Sequence, residues 1–241
     1  SADDDDDTGD DDDDDATGDD DDDDTSGDDD DDDTGGDDDD DTSSASVDNV
    51  LIVSGNATGD FLDCVETGLE AHFSVVDAIQ DVPTPGELTN YDAVLVYNNG
   101  SHPDPTGLGN VLADFFDSKG HVVEGLYGTA NQSALAGRWD SDGYRLLSGP
   151  YSADSLVLGT ISEPESPLMA DINTFTAIRS VNGTAINGGI VVASYDNGRP
   201  IVVRSTKNGW NRVDIAMFPG GCSGPYWTGD GFQLIRNALR F

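Results

Sequence analysis

His102 and Asp104 stand two residues apart in His102-Pro-Asp-Pro105, a spacing at which a carboxylate could orient an imidazole base, and Glu124 could add a second acid. That would be general acid–base chemistry. The same four residues also read as a capping turn, since an aspartate ahead of Pro-Thr accepts hydrogen bonds from the first turn of a helix. A nucleophile is suggested by Gly220-Gly-Cys-Ser-Gly224, which matches the Gly-x-Cys-x-Gly pattern of a strained elbow. No histidine follows it, because His72, His102 and His121 all precede Cys222, and Gly224-Pro225 postpones any helix beyond an elbow turn. Zinc would require three or more closely spaced His, Cys or carboxylate ligands, and no such cluster is present. Ser54-Gly-Asn-Ala-Thr-Gly59 opens a helix but lacks both a lysine and the Gly-x-Gly-x-x-Gly spacing, so no cofactor is expected.

The elements that must position these residues alternate. Asn49 to Ser54 is a β-branched apolar run, and Phe61, Leu62, Val65, Leu69 and Phe73 follow at helical spacing. Val75 to Ile79 and Tyr91 to Tyr97 read as further strands, with a helical turn at Thr84 to Glu87 between them. Asp104 starts a helix reaching Phe116 and ended by Gly120, and His121 to Leu126 makes a fourth strand. Ala93-Val-Leu-Val-Tyr97 is apolar on both faces, as a parallel strand covered by helices requires. The pattern predicts an α/β fold with a doubly wound, mostly parallel, flavodoxin-like sheet. After Gly128 the segments shorten. Val191 to Tyr195 and Pro200 to Arg204, joined through Asp196-Asn-Gly198, predict a C-terminal antiparallel hairpin with a primed turn, Arg212 to Phe218 a last strand, and Gly231 to Leu239 a closing helix.

In such sheets ligands bind beyond the carboxyl ends of the strands. The loops there collect Asn56, Asn99, His102, Asp104, Tyr127, Asn131, Tyr226, Trp227 and Asp230. Amides, carboxylates and aromatic rings together suit a neutral sugar or polyol, although Asn and Asp are also what turns contain.

The 241 residues carry a net charge of −40. Five aspartate runs between Asp3 and Asp41 hold 28 of the carboxylates, spaced by Thr, Gly, Ser and Ala, with no large apolar residue before Val47. Residues 1–46 are therefore expected to be a disordered, self-repelling spacer reaching at most about 150 to 165 Å. The aspartates lack the glutamate of an EF-hand loop and the large apolar residues of a β-roll, so weak, non-specific divalent cation binding is the only metal expectation. Residues 47–241 form one domain, still acidic, with 22 acidic against 10 basic groups. Nucleic acid is excluded as a partner, because its binding needs clustered Lys and Arg. No run of 18 apolar residues could span a membrane.

Tyr91-Asp-Ala-Val-Leu-Val-Tyr97, Leu108 to Asp117 with Gly120-His-Val-Val123, Gly137-Arg-Trp139 with Tyr144, Leu158-Gly159, Glu163 to Ala170, Gly198 to Val202, Arg212-Val-Asp214 and Trp227 to Leu239 together resemble a domain common in secreted bacterial proteins. This is the ThuA-like (trehalose-utilisation-like) branch of the class I glutamine amidotransferase-like fold, and the resemblance covers about residues 48 to 241. Class I amidotransferases carry a cysteine nucleophile on the turn after a central strand. The matching turn here, His121 to Thr129, has none, so the resemblance implies that amidotransferase chemistry is lost.

For Cys64 and Cys222 three states are open: a disulfide, two thiols, or Cys222 as nucleophile. Export favours the disulfide. The acidic segment resembles the tether that follows the lipidated cysteine of bacterial lipoproteins, which would place a lipid anchor just before Ser1 and the protein at the cell surface or outside the cell. The function expected is a non-catalytic binding or structural module on an acidic spacer, with a glycan or a cell-surface protein as partner. The alternative is a secreted carbohydrate-active hydrolase or isomerase using His102, Asp104 and Glu124.

Overall fold

The computed structural model describes residues 46–224 and 226–241. The aspartate runs, and the spacer expected of them, lie outside the described residues. Strand β1 (Asn49–Gly55), helix α1 (Asp60–Glu70), β2 (Val75–Ile79), α2 (Pro85–Leu88), β3 (Ala93–Asn98), α3 (Pro105–Asp117) and β4 (His121–Glu124) alternate as the apolar spacing predicts. The short helix α4 (Arg138–Ser141) follows. Then come strands β5 (Leu147–Ser148), β6 (Tyr151–Ser152), β7 (Leu156–Ile161), β8 (Phe175–Ala177), β9 (Ser180–Val181), β10 (Thr184–Ala185), β11 (Ile190–Tyr195), β12 (Pro200–Lys207), β13 (Trp210–Ile215) and β14 (Trp227–Gly229), closed by α5 (Gly231–Leu239).

Ten strands share one sheet in the order β14-β8-β7-β11-β12-β13-β4-β3-β1-β2. β2, β1, β3, β4 and β13 are mutually parallel, and from β13 outward every neighbour is antiparallel. The hairpin expected near the C-terminus is thus one pair within a longer antiparallel run. The strand expected to be last, Arg212 to Phe218, is followed by β14, which like β8 is only three residues long, too short to display a period.

Strand geometry places successive side chains on opposite faces. Val50 and Ile52 of β1 pack with Leu62, Val65 and Leu69 of α1 and Leu234 of α5, whereas Leu51 and Val53 pack with Leu108, Leu112 and Phe116 of α3. Both faces of the parallel half are therefore covered, and truncating one such leucine to alanine should cost about 2 to 5 kcal/mol. Two of the helix starts are chemically specified. Thr84 and Glu87 form a capping box on α2, and the Asp104 carboxylate accepts the Gly107 N–H at 2.8 Å to cap α3.

The β11–β12 turn differs from the primed type expected of Asn-Gly. Only Gly198 has a positive φ, 83°, while the Gly198 N–H donates to the Tyr195 carbonyl and the Tyr195 N–H to the Arg199 carbonyl. This is a type I turn followed by a left-handed glycine bulge, the three-residue solution to the same reversal. Cys64 of α1 and Cys222, in the 3₁₀ turn Pro219–Ser223, are bridged with Cα atoms 5.9 Å apart. The cysteines are thus neither two thiols nor a nucleophile. Among the described residues no helix is long and apolar enough to cross a membrane.

Candidate functional site

The carboxyl ends of β1, β3, β4 and β13 converge, and two chemically different groups of side chains lie over them. On the α3 side stand Asn98, which ends β3, and His102. Asn98 is fully buried, and neither its Nδ2 nor its Oδ1 has a hydrogen-bond partner among the described residues. Its side chain packs against Gly55, where an added Cβ would lie 2.7 Å from Oδ1. His102, 3% exposed, accepts the Asp104 N–H at Nδ1. In the neutral ring that acceptor role places the proton on Nε2, so the atom left over is a donor and not a base. Burial, the dominant influence, pushes the His102 pKa down, which keeps the ring neutral. The Gln80 carbonyl lies close enough to favour the protonated ring, but Nε2 is not aligned to donate to it.

On the α1 side the side chains are aromatic. Tyr127 stacks on Tyr151 with centroids 4.9 Å apart and meets Phe218 edge-on at 5.9 Å. Phe61 lies 5.6 Å from Phe218 and 6.1 Å from Tyr226. Arg179, between β8 and β9, projects its guanidinium over Tyr226 at 3.8 Å and over Phe218 at 5.2 Å. Phe61, Tyr127, Tyr151, Arg179 and Tyr226 are all half-buried, so the cluster reaches solvent. Burial raises the Tyr127 pKa to about 12, keeping its hydroxyl protonated. The Tyr127 N–H donates to the Asn98 carbonyl at 3.2 Å, which ties the two groups together.

Beneath them is a buried charge cluster. Glu124 Oε2 accepts from Trp139 Nε1 at 2.8 Å and from Arg212 Nη2 at 3.1 Å. Asp214 Oδ1 lies 2.5 Å from the same Arg212 Nη2, out of hydrogen-bond alignment, while its Oδ2 accepts the Leu146 and Leu147 N–H groups. Glu124, Arg212 and Asp214 are each 0% exposed. Two carboxylates sharing one guanidinium out of water leave an excess negative charge, so burial and then the neighbouring Asp214 raise the Glu124 pKa, and burial raises that of Asp214. Glu124 ends β4, just ahead of the loop in the segment where the resemblance would put a nucleophile, and its carboxylate is held under the sheet end by Trp139 and Arg212.

The remaining sequence candidates divide between these groups and structural work. Asn56, at φ 56°, donates its side-chain N–H to the Ser101 carbonyl and joins the β1–α1 loop to the β3–α3 loop. Asn99 is half-buried beside Asn98, with its N–H on the Gly55 carbonyl. Asp104 is the α3 cap. Asn131 Oδ1 accepts from Ser148 Oγ and the Gly149 N–H, bracing the loop ahead of Tyr151. Asp230 accepts the Asn173 and Thr174 N–H groups at 2.8 Å, and Trp227 is 8% exposed with Nε1 donating to the Pro219 carbonyl. These last two support the β8–β14 edge. Sequence reasoning missed Phe61, Tyr151, Arg179 and Phe218 as parts of the cluster, because they come from four distant segments. Arg212 and Asp214 did carry a signal: two charges alternating with valine and isoleucine in an otherwise apolar strand.

Other features point elsewhere. A cavity of about 740 Å³ opens at the opposite, amino end of the parallel strands between Val47, Tyr91, Phe115, Trp210 and Phe241, and one of about 520 Å³ adjoins the disulfide. Volume favours the amino end and polar chemistry the carboxyl end. The carboxyl end is the stronger candidate, because a buried polar group without a partner costs about 1 to 3 kcal/mol and is kept where something completes it. Among the described residues no three His, Cys, Asp or Glu side chains are grouped to hold a metal ion.

No family model and no curated protein matches this chain. Solved structures do. A protein described as ThuA-like from Bacteroides uniformis is 15% identical, with a TM-score of 0.58 over 80% of this chain and 90% of its own. A cytoplasmic protein from Salmonella typhimurium LT2 is 12% identical, with a TM-score of 0.59 over 79% of this chain and 98% of its own. A protein from Thermoplasma acidophilum described as part of a GMP synthase is 8% identical, with a TM-score of 0.55 over 80% of this chain and 92% of its own. The resemblance read from the sequence is thus shown at the level of the fold: residues 46–241 have the ThuA-like, class I glutamine amidotransferase-like fold.

Proposed function

We propose that residues 47–241 are a non-catalytic glycan-binding module, displayed outside the cell on the acidic spacer, that takes its ligand over the carboxyl ends of the parallel strands. The observation that carries this reading is the half-buried platform of Phe61, Tyr127, Tyr151 and Tyr226, with Asn98 and His102 beside it. Sugar rings stack on aromatic faces, and their hydroxyls pair with amides and imidazole N–H groups. Asn98 is closed off, so a sugar hydroxyl reaches its amide only when the Asn99 to Asp104 loop moves aside. The hydrolase alternative has less support, since Asp104 caps a helix, His102 offers a donor, and Glu124 is bound from below. A disulfide favours an oxidising compartment. The Salmonella protein is described as cytoplasmic, but at 12% identity it shares the fold alone.

A glycan array followed by calorimetric titration tests the reading. Wild type should bind, and Tyr127→Ala or Tyr226→Ala should weaken binding about tenfold or more with the far-ultraviolet circular dichroism unchanged. Equal binding by wild type and both variants would place the ligand on another face.

A further inference from the structure

Arg179 stands out among the basic residues of this domain. Arg138, Arg145, Arg199, Arg204 and Arg212 each contact at least one carboxylate. Arg179, like Arg236, Arg240 and the two lysines, contacts none among the described residues, but of these five it alone has a buried nitrogen without a partner. Its Nη1 is buried without an acceptor, and the adjacent Ser180, 0% exposed, has an Oγ in the same condition. The guanidinium carbon lies 3.8 Å from the Tyr226 ring centroid and 5.2 Å from that of Phe218, and none of its N–H groups makes a hydrogen bond among the described residues. A planar fork of donors held between aromatic faces matches one chemical group above others, a carboxylate bound through two parallel hydrogen bonds.

We propose that Arg179 is a carboxylate subsite, and that the glycan taken by the platform is acidic, carrying uronate-type carboxylates, in place of the neutral sugar that the loop composition suggests. This rests on the platform reading of the preceding subsection. A neutral sugar would leave the N–H edge of Arg179 without a charged partner, whereas a uronate ring can stack on Tyr127 or Tyr226 and present its carboxylate to the guanidinium. The negative charge of the domain opposes any anion at long range, but that repulsion is screened within about 8 to 10 Å at ordinary salt, and the contact at Arg179 is partly desolvated. Binding should therefore weaken little as salt is raised. The aspartate runs of this same chain are a second source of carboxylate. A sugar differs from them in bringing a ring for the tyrosines.

The test is calorimetric titration of the full chain with three probes: oligogalacturonate, its fully methyl-esterified form, and a hexa-aspartate peptide. The acid should bind about tenfold or more tighter than the ester, as a charge-assisted hydrogen-bond pair implies, and tighter than the peptide. Arg179→Gln should bring the acid down to the affinity of the ester and leave the ester unchanged. Arg179→Lys, which keeps the charge and loses the fork, should fall between. Equal affinity for acid and ester, or an equal loss of both in Arg179→Gln, overturns the carboxylate subsite while sparing the platform. A peptide as tight as the acid overturns the sugar assignment. Failure of both sugar forms to bind removes the platform reading along with it.

Discussion

The two ends of the parallel strands both mix aromatic and polar side chains but differ in how far their buried polar groups are partnered. At the amino end, a cavity of about 740 Å³ is lined by apolar and aromatic side chains such as Val47, Phe115 and Trp210 mixed with polar ones such as Asp92, Asp114 and Arg240, with the Lys119 ammonium 5.1 Å over the Trp210 ring, and among the described residues no lining side chain has a buried polar atom without a partner. At the carboxyl end, Asn98, His102, Thr129, Arg179 and Ser180 all have one, and aromatic rings are half-exposed. The difference teaches that empty volume and unmet hydrogen bonding are separate signals. Volume arises wherever loops pack loosely, whereas an unpaired buried amide is a standing cost that folding alone would remove.

The largest expected effect lies just beneath the carboxyl end. Arg212→Ala would leave Glu124 and Asp214 buried without a counter-charge and should destabilise the domain by about 3 to 5 kcal/mol in denaturant melts. A change under 1 kcal/mol would mean that this end is not anchored by the charge cluster. Replacing both cysteines by serine should cost about 2 to 4 kcal/mol, because the bridge closes a loop of 158 residues. The loss should be local in kind. Hydrogen exchange should quicken around Phe61 and in Pro219–Ser223 before it quickens around Trp210.

Asn98→Leu sharpens the comparison most, since it separates folding from binding. Removing a buried, unpartnered amide should raise stability by about 1 to 2 kcal/mol while weakening glycan affinity. If stability falls instead, the amide is satisfied within the protein and the carboxyl end loses part of its claim. A pH series gives a smaller effect. The folded pKa of Glu124 is raised, so above the ordinary carboxylate range the unfolded chain has released its proton while the folded one retains it, and stability declines as pH rises through that window. Glu124→Gln should flatten the decline. Smallest of all, Trp210→Ala at the amino end should leave sugar affinity unchanged.

The parallel half of the fold was legible because β1 and β3 are continuous apolar runs and α2 and α3 carry start signals, Thr84 with Glu87 and Asp104 ahead of Pro105. The closing helix Gly231–Leu239 was equally plain. The two small sheets outside the main one, β5 with β10 and β6 with β9, were not, because their strands are two residues long and owe their pairing to distant partners. The site followed the same division. His102, Tyr127 and Tyr226 could be placed from strand-end loops, but Arg179 sits in an excursion between two short strands, and nothing in its local sequence says that Tyr226 and Phe218 will close around it. Trp227 and Asp230 were legible as polar and aromatic loop residues, yet the hydrogen bonds they make brace a sheet edge.

The central claim is that a ligand occupies the carboxyl end, and amide chemical-shift mapping of the full chain on addition of oligogalacturonate tests it most directly. The shifts should concentrate in residues 97–104, 125–132, 179–180 and 217–229. Shifts confined to Val47, Tyr91, Phe115, Trp210 and Phe241, or no shifts at all, would contradict the account.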